Sequence, residues 1–475
     1  MAHIAGPDRT QAVLLPEVLD DYVRGDNPVR FLDAFVAHLD LGALGFQRAV
    51  PAETGRPGYD PGDLLRLYLY GYLHRIRSSR RLEQETHRNV ELMWLLRRLT
   101  PDFKTIADFR RDHPAALKRV GREFLVLCRQ LDLFGGELLA IDGSKFRAVN
   151  ARDKSYTPAR LATLQRDIDR TITRYLKELE RRDAAEAGTA GPSVDALQEK
   201  IAALQQRQAR YAALQHELAA SGETARSLTD SDRRPMMSGG RIEVCYNVQT
   251  AVDAKHKLIV ADDVTNAAGD RDQLSPLATA AQEALGGAAP VVVADQGYYH
   301  GAEIKTCLDA GLTPLVPRPL TSANEVRGLF TKDDFVYDPA ADAYRCPAAE
   351  TLTYRTTTVE LGRTIKNYRT SACGRCALRP RCTRNKDGRK LTRWVDEHLL
   401  ERMAQRLRRD RGLYAQRKAL SEHPFGTMKR GMDQGYFLLK GLRKVRGEFS
   451  LTALAYNLKR VLNLVGVPRL LEALT

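Results

Sequence analysis

Long apolar runs are the first thing this chain lacks. No stretch approaches the roughly 18 residues a membrane-spanning helix needs, and no signal peptide opens the sequence, so neither membrane insertion nor secretion is expected. Cysteine is scarce, at 7 in 475 residues. In a chain that is not secreted, expected in the cytosol or nucleoid, such thiols stay reduced, so a cluster of them points to metal more than to disulfides. Acidic residues also fall short, with 59 Asp and Glu against 74 Lys and Arg and a formal net charge of +15. That imbalance speaks about partners, and polyanions such as nucleic acid lead. Hydrophobic residues still make up 43%, enough to fill cores and to exclude wholesale disorder. A chain this long is expected to hold two or three domains.

Residues 1–135 read as a helical N-terminal DNA-binding domain. Leu64, Leu65, Leu67, Tyr68 and Tyr72 recur at helical spacing after a Pro61-Gly62 entry. Ser78 or Ser79 could cap the next helix and Thr105 another. Between Arg66 and Arg122 stand 14 basic against 6 acidic residues, spread over successive short helices. Arg77, Arg80 and Arg81 are therefore expected at DNA; the plainer alternative is that such arginines solubilise a dimerisation bundle. Residues 136–475 read as a catalytic domain of α/β class, an α+β mixed sheet. A strand from Leu138 to Asp142 is followed by a hairpin (Arg241 to Val252, then Leu258 to Ala261), a strand ending on Asp295 and one over Thr313 to Val316, with helices between. That order is the order of an RNase H-like core with two insertions. The first, 153–228, reads as a helical hairpin broken at Gly188 to Pro192, self-packed in the simplest case and a dimerisation element or DNA clamp otherwise. The second, 318–412, carries the clustered cysteines.

Two apolar runs stop on aspartate, Leu138-Leu139-Ala140-Ile141-Asp142 and Val291-Val292-Val293-Ala294-Asp295. Each aspartate alone is as well explained as a turn residue. A third acid, Glu422, is central to Tyr414–Gly431, read as a helix interrupted or bent near Pro424; Lys418 shares its face one turn earlier. From Arg402 to Arg446 there are 13 Lys or Arg, against only Asp410, Glu422 and Asp433. Two or three carboxylates packed together repel unless a cation sits between them. Hard oxygen ligands suit Mg²⁺ or Mn²⁺, and two such ions can stabilise the attacking and leaving oxygens of a phosphoryl displacement. Asp142, Asp295 and Glu422 are thus expected to meet and hold such metal, while surrounding Lys and Arg serve DNA phosphates. Cys373-Gly-Arg-Cys376 and Cys382 fall within ten positions, with Cys346 the best fourth ligand and His398 the next, a set suited to structural Zn²⁺. Three free or buried thiols are the plain alternative. Tyr298 and Tyr299 could stack on an extruded nucleotide, or simply pack the start of a helix. His300 and His423 have no assigned role.

The residues also carry a resemblance. Ile141–Asn150 (IDGSKFRAVN), Ala294–Ile304 (ADQGYYHGAEI) and Glu422–Met432 (EHPFGTMKRGM) resemble the three acidic motifs of bacterial insertion-sequence DDE transposases, in the group with a cysteine-bearing insert before the final glutamate. The N-terminal GYDPGDLLRLYLYGYLHRIRSSRRLE and the hairpin Gly240–Asn266 are similar to the same group, so the likeness spans nearly the whole chain. It implies that Asp142, Asp295 and Glu422 are the DDE triad. Tyr414, either Arg417 or Lys418, and Lys429 would be the tyrosine and basic residues flanking the glutamate. Lys145 and Arg430, with Arg417, Lys418 and Lys429, join the expected DNA-binding set. The implied reaction is cleavage at transposon ends by activated water, then attack of the freed 3′-hydroxyl on target DNA. Double-stranded DNA, at element ends and target, is the expected partner, and joining two ends calls for a homodimer or larger synaptic complex. A domesticated or inactive transposase acting as a DNA-binding regulator is the alternative; a nuclease of RNA–DNA hybrids leaves the basic helices unexplained.

Overall fold

The computed structural model describes residues 18–474, apart from 51–52, 54–56, 150–154, 185–193, 222–225, 228–229, 231, 239 and 320–322. Six helices come first: α1 (Pro28–His38), α2 (Pro61–Leu73), α3 (Ser79–Thr86), α4 (Val90–Leu95), α5 (Phe103–Asp112) and α6 (Pro114–Gln130). Four of the six starts carry a side-chain cap. Asp60 caps α2 by accepting from Gly62 N ahead of Pro61 at the first turn, where its missing N–H costs nothing. The cap of α5 is Asp102, whose carboxylate accepts from Lys104 N and Thr105 N, and not Thr105 as expected. The α3 cap falls at Ser78, without a side-chain hydrogen bond.

Strand β1 (Leu138–Arg147) opens the main sheet. The short strands β2 (Ser155–Tyr156) and β3 (Arg226–Ser227) pair at the base of a helical hairpin, α7 (Pro158–Ala184) and α8 (Val194–Ser221). The hairpin packs on itself through Leu161, Ile168, Tyr211, Leu214 and Leu218; the break expected at Gly188 to Pro192 lies outside the described residues. Then follow β4 (Arg234–Ser238), β5 (Arg241–Asp253), β6 (Ile259–Thr265), α9 (Leu274–Ala284), β7 (Val291–Val293), α10 (Gly301–Asp309) and β8 (Thr313–Leu315). The main sheet runs β4-β5-β1-β7-β8, with β6 also on β5. Pairing is antiparallel among β1, β4, β5 and β6 and parallel from β1 through β7 to β8, the arrangement of an RNase H-like core. Parallel strands need both faces covered, and β7 reads accordingly as unbroken valine.

A second, antiparallel sheet fills the cysteine-bearing insert: β9 (Val336–Asp338), β10 (Ala343–Arg345), β11 (Thr351–Glu360), β12 (Arg363–Arg369) and β13 (Leu391–Trp394), in the order β13-β12-β11-β10-β9. Two short helices flank it, α11 (Ala323–Val326) and α12 (Arg379–Cys382). Its small core is Phe335, Tyr344, Leu352, Tyr368 and Leu391. The chain closes with α13 (Glu397–Arg409), α14 (Arg411–Gly426), α15 (Leu442–Val465) and α16 (Val467–Glu472). Helix α15 is buried along nearly its whole length, packing on α2, α6 and β6, so one hydrophobic cluster joins the N-terminal helices to the sheet.

Two local expectations change. Strand β1 does not stop at Asp142; it continues to Arg147, because β5 pairs with it from Leu139↔Asp253 to Arg147↔Cys245. What ends near Asp142 is the parallel pairing, whose last pair is Ala140↔Val293. Nor does Pro424 interrupt its helix. Helix α14 runs through it to Gly426, and the irregularity comes next, as a π turn over Thr427–Gly431. Such turns commonly mark functional stretches.

Candidate active site

The register puts the two aspartates side by side. With Ala140 opposite Val293, Asp142 and Asp295 each stand two residues further, at the point where β7 leaves β1. Asp295 leaves the strand and caps the following turn, its carboxylate accepting from Gly297 N at 2.8 Å. Asp142 accepts from Gly143 N at 2.8 Å. Burial pushes the Asp142 carboxyl above the usual carboxylate range; Ser421, Gly143 N and Arg417 oppose that rise, and the Asp295 charge adds to it.

Helix α14 packs across β1, β5 and β7 and brings the C-terminal motif to this point. Arg417 Nη1 lies 3.6 Å from Asp142 Oδ2, and Ser421, one turn on, also reaches that carboxyl. Of the two adjacent basic residues, Arg417 therefore faces Asp142. Lys418 instead approaches Glu422, Nζ to Oε1 at 3.9 Å, with both side chains largely exposed at 74% and 65%. Glu422 is thus one position around the helix from the residues touching Asp142, and its carboxylate is turned to solvent. Among the described residues, no three His, Cys, Asp or Glu side chains form a group that could hold a metal ion as they stand.

The other expected residues divide. Lys429, on the π turn, donates to Ser144 Oγ (2.6 Å) and Lys145 O (2.8 Å) and lies over the Phe146 ring, so it fastens the turn to β1. Burial pulls its amine down. Lys145 is 3.7 Å from Asp270. Arg430, Arg80 and Arg81 are exposed, Arg80 lying over Phe103. Arg77 is a correction: it is buried, donating to Tyr436 O at 2.5 Å and pairing with fully buried Glu448 at 3.0 Å. Its guanidinium is taken up inside the protein and is not free for phosphate. Tyr298 is also buried, its hydroxyl donating to Gln249 Oε1, so it packs the turn and offers no stacking face; Tyr299 is half-buried. His423 meets Tyr456 and Arg460 on α15, and His300 meets Asp272.

Sequence reasoning missed Asp270. Asn247 and Gln249 donate to its Oδ1 at 2.6 and 2.7 Å, and Gln249 in turn accepts from Tyr298, three residues past Asp295. This part-buried chain of polar groups ties β5 to the turn that presents Asp295. The signal was two amides at alternate positions of a strand buried on both faces. Gly143 is required beside them: a Cβ there would lie 2.5 Å from Gln249 Nε2 and 2.9 Å from Asp270 Oδ1. Gly143→Ala is expected to cost about 1–3 kcal/mol by overpacking, read as a lowered thermal midpoint. An unchanged midpoint would show that the amides yield freely.

Two family descriptions match the chain: "Transposase domain (DUF772)" over residues 17–112 and "Transposase DDE domain" over residues 345–462. The first takes in the N-terminal helices, the second the insert's cysteines and Glu422. Both matches are to transposase domains, and together they indicate a DDE transposase of the insertion-sequence kind. A solved structure described as "Cryo-EM structure of piggyBac transposase synaptic complex with hairpin DNA (SNHP)" is similar over 92% of this chain and 75% of that one, at 10% identity and a TM-score of 0.30. No match is found among curated proteins. No helix among the described residues is long and apolar enough to cross a membrane.

Proposed function

We propose that this transposase binds the terminal inverted repeats of its element and carries out metal-dependent strand cleavage and strand transfer with Asp142, Asp295 and Glu422. The observation that carries the reading is the pairing of Asp142 and Asp295 where β7 leaves β1, with α14 laid against them through Arg417 and Ser421. The donor set fits Mg²⁺ or Mn²⁺: the Asp142 carboxyl, whose proton affinity burial and the Asp295 charge raise, Asp295 beside it, and a third carboxylate on an exposed side chain. Thr250 Oγ1, buried without a partner opposite Asp142, adds an unspent oxygen. Bound there, a pair of ions would supply activated water and stabilise the leaving oxygen. Asp142 and Asp295 would hold the ions from the sheet, and Glu422 would turn in from α14. Lys429 keeps the π turn on β1, and exposed Arg80, Arg81 and Arg430 take phosphates. Residues 1–135 would serve end recognition and 136–475 catalysis, in a homodimer or larger synaptic complex at the bacterial nucleoid. The test is cleavage of a duplex carrying the element's end: Mg²⁺ or Mn²⁺ should support it and EDTA should stop it. Cleavage persisting in EDTA overturns the reading.

The same reading, in the cysteine-insert group, includes a structural zinc. Cys346, Cys373, Cys376 and Cys382 line one small cavity beside the core of the second sheet. Burial, then Arg389 opposing and the other three thiols adding, leaves the Cys382 thiol above its usual range. Gly388, at φ +83°, approaches Cys373 so closely that a Cβ would sit 2.7 Å from that residue's Cβ. Four thiolates closing on one ion would be a structural site, with no open position for water. Metal analysis of protein purified without chelator should find about one zinc per chain, lost on Cys373→Ser with Cys376→Ser. Zinc-free wild type sinks this part.

A further inference from the structure

The insert concentrates positive charge more than any function assigned so far requires. Between Ser371 and Lys390 stand seven Lys or Arg and a single acid, Asp387. Arg375, Arg381, Arg384, Lys386 and Lys390 are exposed, and none of them forms a salt bridge among the described residues. Several other exposed arginines of this protein are paired at close range, as Arg24 is with Asp26, Arg88 with Glu85 and Arg409 with Asp410. Like charges this dense lie within a Debye length of about 10 Å and repel, so the segment holds them at a cost that a polyanion would remove.

The loop that carries them is fixed. Arg379 donates to Asn385 O and to Lys386 O, at 3.3 and 2.9 Å. Arg389 donates to Cys382 O at 3.2 Å, and Thr383 Oγ1 accepts from Asn385 N. Two guanidinium groups are thus spent on holding backbone carbonyls; Arg375, Arg384, Lys386 and Lys390 are exposed without such a task, and Arg381, also exposed, lies over the Phe330 ring at 5.4 Å. Thr353 on β11, opposite Arg369 at the entry to this loop, is also exposed and offers a hydroxyl donor suited to phosphate oxygens.

We propose that this face of the cysteine-bearing insert is a second DNA-contacting surface, which grips the duplex backbone through phosphates and without base readout. The proposal rests on the transposase reading for its partner. It differs in placing contacts on the insert, away from the N-terminal helices and the carboxylates. Backbone contact of this kind is sequence-independent and steeply salt-dependent, because each neutralised phosphate releases counterions.

The experiment uses full-length protein and a fluorescent random-sequence duplex, with binding measured across a salt series. Arg381→Ala, Arg384→Ala and Lys386→Ala combined should weaken binding by about tenfold or more at low salt and flatten the slope of log K against log salt by about 3. The thermal midpoint and metal content should match wild type, which separates lost contacts from lost fold. A control removing Arg170, Lys255 and Lys305 together, which lie outside residues 1–135 and the insert, sets the effect of net charge alone. Affinity and slope unchanged by the insert variant, or lowered equally by the control, overturn the inference. Neither outcome touches the cleavage reading, which is tested separately by cleavage in EDTA and by cleavage with Asp142→Ala protein.

Discussion

Alanine at Asp142, Asp295 or Glu422 is expected to abolish strand cleavage while leaving DNA binding in place. Losing one ligand of a charge-stabilising site costs at least about a hundred- to thousandfold in rate. Asp142 and Asp295 sit at adjacent positions where the parallel pairing ends, and each is held by one backbone N–H, so their carboxylates are set in place before any ion arrives. Glu422 differs: it is exposed, and its ion pair with Lys418 at 3.9 Å is of the surface kind that contributes little. Lys418→Ala should therefore leave cleavage nearly unchanged, whereas Glu422→Ala should remove it. Binding should hold or tighten in all three acid variants, since each loses a charge that repels phosphate. The readout is cleaved and bound fractions of one labelled end duplex, measured together. Full cleavage by a variant would remove that residue from the site, and loss of binding alongside cleavage would make its role structural.

The main sheet was legible because its parallel strands are nearly all apolar, and Val291 to Val293 admits few other readings. The extension of β1 to Arg147 was not. Its residues, Gly143 to Arg147, are mostly polar, and they become a strand only because β5, a hundred residues on, pairs beside them. The second sheet was hidden for a related reason. Strands β9 and β10 are three residues each, and β11 exposes nine of its ten side chains, so no alternation marks them. Glu422 was found from its motif, but its outward rotamer could not be, since sequence places a residue on a helix and leaves its side-chain torsions open. Charge count likewise identified a basic region among the first helices without saying which arginine is free. Arg80 and Arg77 differ by less than one helical turn, and only one of them meets a glutamate 371 residues away.

That arginine carries the second large expectation: Arg77→Ala should destabilise the protein by about 3–5 kcal/mol, while Arg80→Ala should change stability little. Arg77 is 5% exposed and Glu448 is 1% exposed. Removing the guanidinium leaves a fully buried carboxylate that, among the described residues, only the Leu438 and Leu439 N–H groups satisfy. Arg77 also donates to Tyr436 O and lies over the Tyr436 ring, just beyond the π turn that follows Glu422. Arg110 extends the join by donating to Arg77 O and Tyr72. The pair therefore ties the N-terminal helices to the segment that closes the catalytic motif, and weaker DNA binding by this variant would report lost structure and not a lost phosphate contact. A whole domain is commonly stable by only about 5–15 kcal/mol, so the expected loss is large. Urea unfolding of Arg77→Ala, Arg80→Ala and the paired Arg77→Met with Glu448→Gln distinguishes the causes. The paired variant should recover much of the deficit, because no unpaired charge is left inside. If Arg77→Ala unfolds at the wild-type urea concentration yet binds end DNA more weakly, Arg77 belongs to the DNA surface after all.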